Sequence, residues 1–310
     1  MNNKFNPLVS VRILTYNSSK YIIETLNSIY DQTYQNIELI ISDDCSKDNT
    51  VELCGEWIKE HGARFVNVVI LTSPNNLGVC ANSRRSLEAT KGEWIKGVGG
   101  DDSLYPNAIE EYVRFVTESH CEICAARMNY MDDNNNDLDV KLGGSYDEYW
   151  GHIHMSREKQ FNLIKRSLFV PGTVLFFSHK VYEMTGGPDS NYGAADEWSF
   201  IYKILKQGYR IYPLDRVLFR YRVHSNSLTR LNNGRLSQYS IDSIRLFMKE
   251  ILIKDALQRG EFLLCWHLFL NYLKMGENRY RLLSIIDPLW YIERIKRIHF
   301  NSNEILQLIL

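Results

Sequence analysis

Short apolar runs alternate with polar turns along the first 128 residues. Five of these runs are nearly continuous and predict β-strands, at residues 8–14, 37–42, 66–71, 94–98 and 122–127. Between the first two runs, apolar residues recur at helical spacing, at Ile22, Leu26 and Ile29. Alternation of buried strands with helices is typical of a mostly parallel sheet that helices cover on both faces. The pattern therefore predicts an α/β fold.

The rest of the chain is less regular. Residues 129–151 are rich in Asp, Asn and Gly and predict a loop, whereas 198–207 predicts a helix that ends at Gly208. Residues 211–221 predict one or two strands, and a helical pattern rich in aromatic residues runs from 237 almost to the end. We therefore expect a helical extension after the α/β part.

Composition narrows the classes of function. The 310 residues are 45% hydrophobic and 24% charged, and the formal net charge of -1 gives no strong field to attract nucleic acid. The chain has neither a signal-peptide pattern nor a run of about 18 apolar residues, and its scattered cysteines indicate reduced thiols. These features predict a cytoplasmic protein. Cys121 and Cys124 form a CxxC within an apolar run, and we interpret them as buried strand thiols.

Polar clusters follow three of the predicted strands. They are TYN at 15–17, DDCSKDNT at 43–50 and GGDD at 99–102. Ligands of such sheets bind outside the carboxyl ends of the strands. The sequence therefore predicts a ligand site at one edge of the sheet.

Two adjacent carboxylates, Asp101 and Asp102, end the third cluster. They repel each other unless they share a divalent cation with the phosphates of a ligand. Gly99 and Gly100 before them allow a ligand to come close to the backbone. The alternative is a solvated turn in which Asp caps the following helix.

A second acidic pair, Asp43 and Asp44, ends the second predicted strand. A carboxylate there can accept hydrogen bonds from a nucleobase or a ribose hydroxyl, and Tyr16 can cover the face of a base. The structural alternative is an N-cap for the next helix, which Ser46 or Asp48 can supply.

The ordered set TYN, DDCSKDNT, NNLGVCANSRR and KGEWIKGVGGDDSLYP resembles the family 2 glycosyltransferases. These are nucleotide-sugar-dependent enzymes of the Rossmann-like GT-A fold, and the resemblance covers roughly residues 8–230. It implies a catalytic domain at 1–230, with a donor half at about 1–128 and an acceptor half at about 150–230. A C-terminal helical region at 231–310 would follow.

The resemblance assigns roles to the residues at the strand ends. Asp43 would support the residues that hold the uracil and ribose of a UDP-sugar, namely Thr15, Tyr16, Asn17 and Asp44. The donor pocket and its diphosphate would be contacted by Asn76, Gly78, Arg84 or Arg85, and Gly100. Asp101 matches the second Asp of the DxD metal motif of the family, whereas Gly99 replaces the first. Asp102 is therefore expected to help Asp101 hold the metal.

A third acidic pair, Asp196 and Glu197, precedes the helix predicted at 198–207. Acidic residues at a helix start also favour the helix dipole, which is the structural alternative. The resemblance implies that Glu197 is the general base. Because the usual order of the two acids is swapped here, Asp196 stays an alternative base.

The resemblance also places His224 beside the metal and the diphosphate, with added charge from Arg222 and Arg230. A purely structural histidine is the alternative reading of this position. Segments 171–173 and 186–187 would line the acceptor side.

The implied activity is that of an inverting enzyme. It would move one sugar per event from a UDP-sugar, with Mn²⁺ or Mg²⁺, to a saccharide or undecaprenyl-linked acceptor in O-antigen or capsule assembly. The alternatives are a non-catalytic nucleotide-sugar-binding protein and a sugar nucleotidyltransferase. Against the latter, TYNSSK stands where such enzymes favour a Gly-rich phosphate loop.

The aromatic-rich C-terminal helices have two interpretations. They either pack on the catalytic domain or attach the protein peripherally to the inner face of the plasma membrane. In the second case the apolar face enters the lipid, and Lys and Arg side chains meet anionic headgroups.

Overall fold

The computed structural model describes residues 6–138, 146–224, 237–274 and residue 289. The chain divides into two compact units, Met1–Ser227 and Leu228–Leu310. The first unit contains the β-sheet, and the described part of the second unit is helical.

The described part of the first unit alternates strands with helices. Its strands are β1 (Val9–Thr15), β2 (Ile37–Asp43), β3 (Asn67–Thr72), β4 (Trp94–Gly99), β5 (Ser103–Leu104), β6 (Ile123–Met131), β7 (Asp137–Leu138), β8 (Leu175–Ser178) and β9 (Tyr212–Arg222). Its helices are α1 (Ile22–Tyr30), α2 (Thr50–His61), α3 (Val79–Glu88), α4 (Ala108–Ser119), α5 (Tyr146–Ile153), α6 (Arg157–Ile164), α7 (His179–Thr185) and α8 (Asp196–Lys206). Short 3₁₀ turns occur at Gly62–Arg64, Gly172–Val174 and Ser190–Ala195.

These strands form one mixed sheet. The order is β3-β2-β1-β4-β8-β6-β9-β5, with β7 paired to β6. β1 runs parallel to β2 and β4, and β2 runs parallel to β3. β8 is antiparallel to both of its neighbours, after which β6 and β9 pair in parallel again. The predicted α/β fold, a mixed and mostly parallel sheet flanked by helices, is confirmed.

Helices cover both faces at the centre of this sheet. Arg12 of β1 reaches α3, whereas the ammonium of Lys96 in β4 lies over the ring of Tyr112 in α4. Arg12 is in register with Gly97 of β4. Because successive residues of a strand point to opposite faces, Lys96, which precedes Gly97, points to the other face of the sheet. Cover on both faces explains why β1 and β2 are buried along almost their whole length.

The loop predicted at 129–151 contains regular structure, so this part of the prediction is wrong. Parts of β6, β7 and α5 fall within it. The Asp132 carboxylate accepts the backbone N–H groups of Asn134 and Asn136 at 2.8 and 2.9 Å, which closes the turn between β6 and β7. The polar residues that suggested a loop thus make a hairpin turn. Residues 139–145 lie outside the described part of the chain.

The second unit follows its sequence pattern as far as it is described. It comprises α9 (Gln238–Phe247), a π-helical segment (Met248–Ile253), α10 (Lys254–Gln258) and α11 (Phe262–Lys274). Ser237 caps α9, because its hydroxyl accepts the N–H of Ser240 at 3.2 Å. Of the helices in the described ranges, none is long and apolar enough to cross a membrane.

Candidate functional site

The carboxyl ends of three strands meet at one edge of the sheet. Thr15 at the end of β1 is in register with Asp43 at the end of β2, and Leu14 is in register with Gly99 of β4. The N–H of Asp44 donates to the carbonyl of Thr15 at 3.0 Å. The three polar clusters of the sequence are therefore brought together, as predicted.

The turn after β1 is locked to the turn after β2. Asn17 has a left-handed backbone, with φ of 52°, and its N–H donates to the Ser46 hydroxyl at 2.8 Å. Its side-chain oxygen accepts the N–H of Lys47 at 2.7 Å. The Asp43 carboxylate accepts both the N–H and the hydroxyl of Ser46. Asn17 and Asp43 thus fix the shape of the two turns.

Asp44 holds the loop that leads into α3. Its buried carboxylate accepts the N–H of Leu77 at 3.0 Å and the N–H of Gly78 at 2.7 Å. The side chain of Asn76 also accepts the Gly78 N–H, at 3.1 Å. Gly78 has φ of 88°, which glycine adopts without strain, and α3 starts at the next residue. Asp44, Asn76 and Gly78 therefore shape one wall of the site.

A buried hydroxyl lies beside an exposed aromatic ring at the end of β1. Thr15 Oγ1 is buried and has no hydrogen-bond partner within the described residues. Tyr16 next to it is 36% exposed. A Cβ at Gly100 would lie 3.1 Å from Thr15 Cβ and 2.9 Å from the Ser18 hydroxyl, so the glycine allows this close approach. Such a hydroxyl and ring suit a polar ligand with an aromatic base.

The two candidate arginines of α3 differ in their surroundings. Arg85 donates to the backbone carbonyl of Asp43 at 2.6 Å and to the side chains of Ser42 and Asn82. It therefore braces the end of β2. Arg84 is half exposed and pairs with Glu88 at 3.0 Å. Contact of either arginine with a diphosphate stays a prediction.

Asp101 and His224 lie in contact, whereas Asp102 faces the protein interior. Nε2 of His224 is 2.9 Å from Oδ2 of Asp101, whose side chain is 36% exposed. The Asp102 carboxylate is buried and accepts the backbone N–H of Arg222 at 3.0 Å. Burial, aided by the nearby charge of Asp101, raises the pKa of Asp102 well above its usual value. In the described ranges, no group of three or more His, Cys, Asp or Glu side chains is arranged to hold a metal ion.

Arg222 is buried beside Asp101. Its side chain is only 1% exposed and forms an ion pair with Glu24 at 2.8 Å. It also donates to the backbone carbonyls of Asp101 and Asp132, both at 2.8 Å, and its guanidinium lies 4.7 Å from the ring centre of Tyr21. Arg222 thus holds the turn that carries Asp101, and its added charge at a diphosphate stays a prediction. Arg230 lies outside the described residues.

Packing of the neighbouring carboxylates explains why position 99 is a glycine. A Cβ there would lie 2.8 Å from an oxygen of each carboxylate, Asp101 and Asp102. That distance is below normal contact, so any side chain at this position would displace the pair. Gly99, which replaces the first Asp of the DxD motif, thus leaves room for both carboxylates to fold back over β4.

Asp196 and Glu197 are the first two residues of α8 and are half-buried. Backbone N–H groups at the helix start donate to Asp196, and the N–H of Gly172 donates to Glu197. Burial raises the pKa of Asp196 to about 6. Burial, and then the charge of Asp196, raises the pKa of Glu197 to about 7. A carboxyl group with such a pKa can exchange a proton near neutral pH.

Sequence reasoning missed a buried cation near this pair. Arg12 of β1 donates to the hydroxyls of Ser83 and Ser86 at 2.9 and 3.0 Å. Burial lowers its pKa to about 10, although attraction to Asp196 and Glu197 opposes this effect. The signal was a single charged residue within the apolar strand VSVRILT.

Arg12 also relates the acidic pair of α8 to the strand-end cluster. A Cβ at Gly97 would lie 3.2 Å from its guanidinium, so Arg12 lies against that residue. Gly97 and Gly99 are two apart on β4 and share a face of the sheet. Arg12, which lies against Gly97, and Asp101, which lies against Gly99, are therefore neighbours over the same face. The charges of Asp196 and Glu197 raise the pKa of Arg12, the first of these two neighbours.

The model of the family described as "Glycosyl transferase family 2" matches residues 10–185, more than half of the chain. The chain belongs to this family. It is a glycosyltransferase, and the alternative of a sugar nucleotidyltransferase is thereby set aside.

Relatives of this glycosyltransferase occur in bacteria. It is 33% identical over 130 residues to "Glycosyltransferase GlyG" of Streptococcus pneumoniae serotype 4, over 42% of this chain and 42% of that protein. It is 24% identical over 226 residues to "Putative teichuronic acid biosynthesis glycosyltransferase TuaG" of Bacillus subtilis, over 73% of this chain and 82% of that one. The chain thus spans less than half the length of GlyG.

Solved structures of S. aureus TarS have a similar fold. The complex of TarS 1-349 with UDP has a TM-score of 0.62 at 19% identity, covering 90% of this chain and 75% of that one. The complex with UDP-GlcNAc has a TM-score of 0.63 at 18% identity, covering 94% of this chain and 88% of that one. The predicted GT-A fold is confirmed.

We expect the transfer rate of this enzyme to fall as the pH is lowered through about 7 to 6. Raised pKa values mean that Asp196 and Glu197 take up protons in this range, and the protonated form cannot act as a base. The measurement is kcat/KM between about pH 5 and pH 8, because this ratio reports the pKa values of the unliganded enzyme, with circular dichroism at each pH as a control for folding. A kcat/KM that stays constant over this range would contradict a base with these pKa values.

Proposed function

We propose that this glycosyltransferase moves one sugar from a UDP-sugar to a hydroxyl of a saccharide or undecaprenyl-linked acceptor, with inversion at the anomeric carbon. The observation that carries the proposal is the carboxyl group of Glu197. It has a pKa of about 7, accepts the N–H of Gly172, and belongs to the same unit as the strand-end cluster.

UDP is the proposed nucleotide because of both the comparisons and the site. The TarS structures of similar fold were solved with UDP and with UDP-GlcNAc. In this chain the buried Thr15 hydroxyl and the exposed ring of Tyr16 are suited to bind a nucleoside. The name of TuaG, a relative, points to teichuronic acid synthesis and supports a role in bacterial surface polysaccharides such as O-antigen or capsule.

A divalent cation fits the pair formed by Asp101 and His224. The oxygen and nitrogen of this pair are 2.9 Å apart and share a hydrogen bond, and a bound Mg²⁺ or Mn²⁺ would replace the proton between them. Asp101 is partly exposed, which leaves room for phosphate oxygens and water to complete the shell. When bound, the cation neutralises charge on the leaving diphosphate. Asp102 is not proposed as a ligand, because its buried carboxyl accepts the Arg222 N–H.

In the proposed reaction Glu197 takes the proton from the acceptor hydroxyl. The acceptor oxygen then attacks the anomeric carbon from the side opposite the diphosphate, which inverts the configuration. The N–H of Gly172 orients the carboxylate, and Arg12 opposes the rise of its pKa. Asp196 is the alternative base, since its pKa is also raised.

Glu197→Gln is expected to lower kcat by at least about 100-fold, because the amide cannot accept the proton. Binding of UDP, measured by calorimetry, should stay intact. The matched control is Glu183→Gln, which changes a carboxylate that is 68% exposed on α7. If Asp196→Asn alone abolishes transfer, the base is Asp196. If neither Glu197→Gln nor Asp196→Asn lowers kcat, the proposed mechanism is wrong.

Asp101→Ala is expected to abolish the stabilisation that Mn²⁺ and UDP give together. Ligands that bind only the folded state raise its melting temperature, and the wild type should gain several degrees when UDP is about 100 times above its Kd. The measurement is thermal denaturation with and without Mn²⁺. The control is Asp137→Asn, a carboxylate paired with Arg220 on the surface. An unchanged shift in Asp101→Ala would contradict the cation proposal.

We also propose that the second unit contacts an anionic bilayer. Helix α11 has no charged residue before Lys274, and several large apolar side chains on it are exposed, namely Phe262, Leu263, Trp266 and Phe269. The sequence beyond it, outside the described residues, adds Arg279, Arg281, Arg294, Lys296 and Arg297. An apolar helix face that is followed in the sequence by basic residues suits anionic headgroups.

The protein is therefore expected to float with anionic liposomes at low salt. Replacement of Phe262 and Trp266 by Ser should reduce flotation, since both aromatic side chains are exposed on α11. Val66→Ser, an exposed apolar residue of the first unit, is the control. Absence of the wild type from the liposome fraction would reject the membrane proposal.

A further inference from the structure

A fully buried lysine lies on a central strand beside the site. Lys96 of β4 is 0% exposed, and its ammonium lies 5.5 and 4.8 Å from the ring centres of Tyr112 and Phe219. Burial lowers its pKa to about 7, and the groups whose charges act on it are Arg12, Asp102 and Cys124. A buried amine is costly unless it is hydrogen-bonded. The hydrogen bonds of the Lys96 ammonium therefore indicate its role.

The ammonium of Lys96 is directed at one short backbone segment. It donates to the carbonyl of Thr173 and, at 3.4 Å, to the carbonyl of Leu175. The hydroxyl of Tyr112 donates to the carbonyl between them, that of Val174, at 3.0 Å. Three successive carbonyls at the start of β8 are thus held by side chains from β4 and α4.

The same segment contacts the proposed base. The 3₁₀ turn Gly172–Val174 contains the N–H that Glu197 accepts. A Cβ at Gly172 would lie 2.9 Å from Oε1 of Glu197, so the backbone of the turn and the carboxylate are in close contact. Lys96 therefore contacts carbonyls of this segment, whereas Glu197 contacts the N–H of Gly172.

We propose that Lys96 is a positioning residue for Glu197, because it fixes the Gly172–Val174 turn whose N–H orients the carboxylate. This inference rests on the proposed role of Glu197 as the base. Without the ammonium, the carbonyls of Thr173 and Leu175 lose this donor and the turn can shift. A shift of about 1 Å in a catalytic group costs roughly 100-fold in rate. Donor binding should be unaffected, because Lys96 has no contact with Thr15, Tyr16 or Asp101 among its hydrogen bonds.

The test is Lys96→Met in the full chain, since methionine has similar length and no donor. We expect kcat to fall about 10- to 100-fold, while the donor KM and the stabilisation by UDP stay within about twofold. The pH midpoint of kcat should move upward, because Glu197 loses an oriented N–H and keeps its other charged neighbours, Asp196 and Arg12. A lower melting temperature with an unchanged kcat and pH profile would show that Lys96 is only structural.

Tyr112→Phe keeps the proposal testable if Lys96→Met does not fold. It removes only the hydroxyl that donates to Val174, and it should change kcat and its pH midpoint in the same direction. The matched control is Tyr34→Phe, because the Tyr34 hydroxyl also donates to a backbone carbonyl, that of Pro7, at 2.6 Å. The control should lose a similar amount of thermal stability without any change in kcat. Equal kinetics of the two tyrosine variants would overturn the proposal.

Failure of the inference can be separated from failure of the proposed function. In the Glu197→Gln background, Lys96→Met should cause no further loss of rate, since both changes act on one carboxylate. If Glu197→Gln abolishes transfer but Lys96→Met leaves kcat unchanged, only the positioning role is wrong. If Glu197→Gln itself transfers normally, the base assignment and the positioning role fail together.

Discussion

The parallel pairing of β1 with β2 and β4 is the constraint on which the site depends. Because Thr15 is in register with Asp43 and Leu14 with Gly99, three strands end at the same level. Each turn that follows then hydrogen-bonds to its neighbour, as Asn17 does to Ser46. The polar residues need no long side chains to meet, since the backbone has already brought them together.

The strand-end cluster could be predicted from the sequence because its information is local. An apolar run followed by Asp43 or Asp101 identifies a strand end, and parallel sheets gather such ends at one edge. The contacts of each carboxylate could not be predicted in this way. Whether Asp102 faces a ligand or the Arg222 N–H depends on the path of β9, which is 120 positions away along the chain.

The buried cations were beyond sequence reasoning for a related reason. Arg12 and Lys96 each interrupt an apolar strand, which indicates that something compensates the charge, yet the partners lie in distant segments. Lys96 donates to the carbonyls of Thr173 and Leu175, and Arg12 donates to the hydroxyls of Ser83 and Ser86 in α3. The antiparallel direction of β8 was also hidden, because three apolar residues and a serine carry no information on direction. Only the assembled sheet defines these contacts.

Strand β8 also limits how the first unit can move. It lies between β4 and β6, with ladder hydrogen bonds to both. The strands on either side of β8 are thus parts of a single continuous sheet, with no flexible joint at this strand. Opening and closing by rotation of two lobes would break those ladders. Movement within the first unit is therefore expected in the turns above the sheet rather than in the sheet itself.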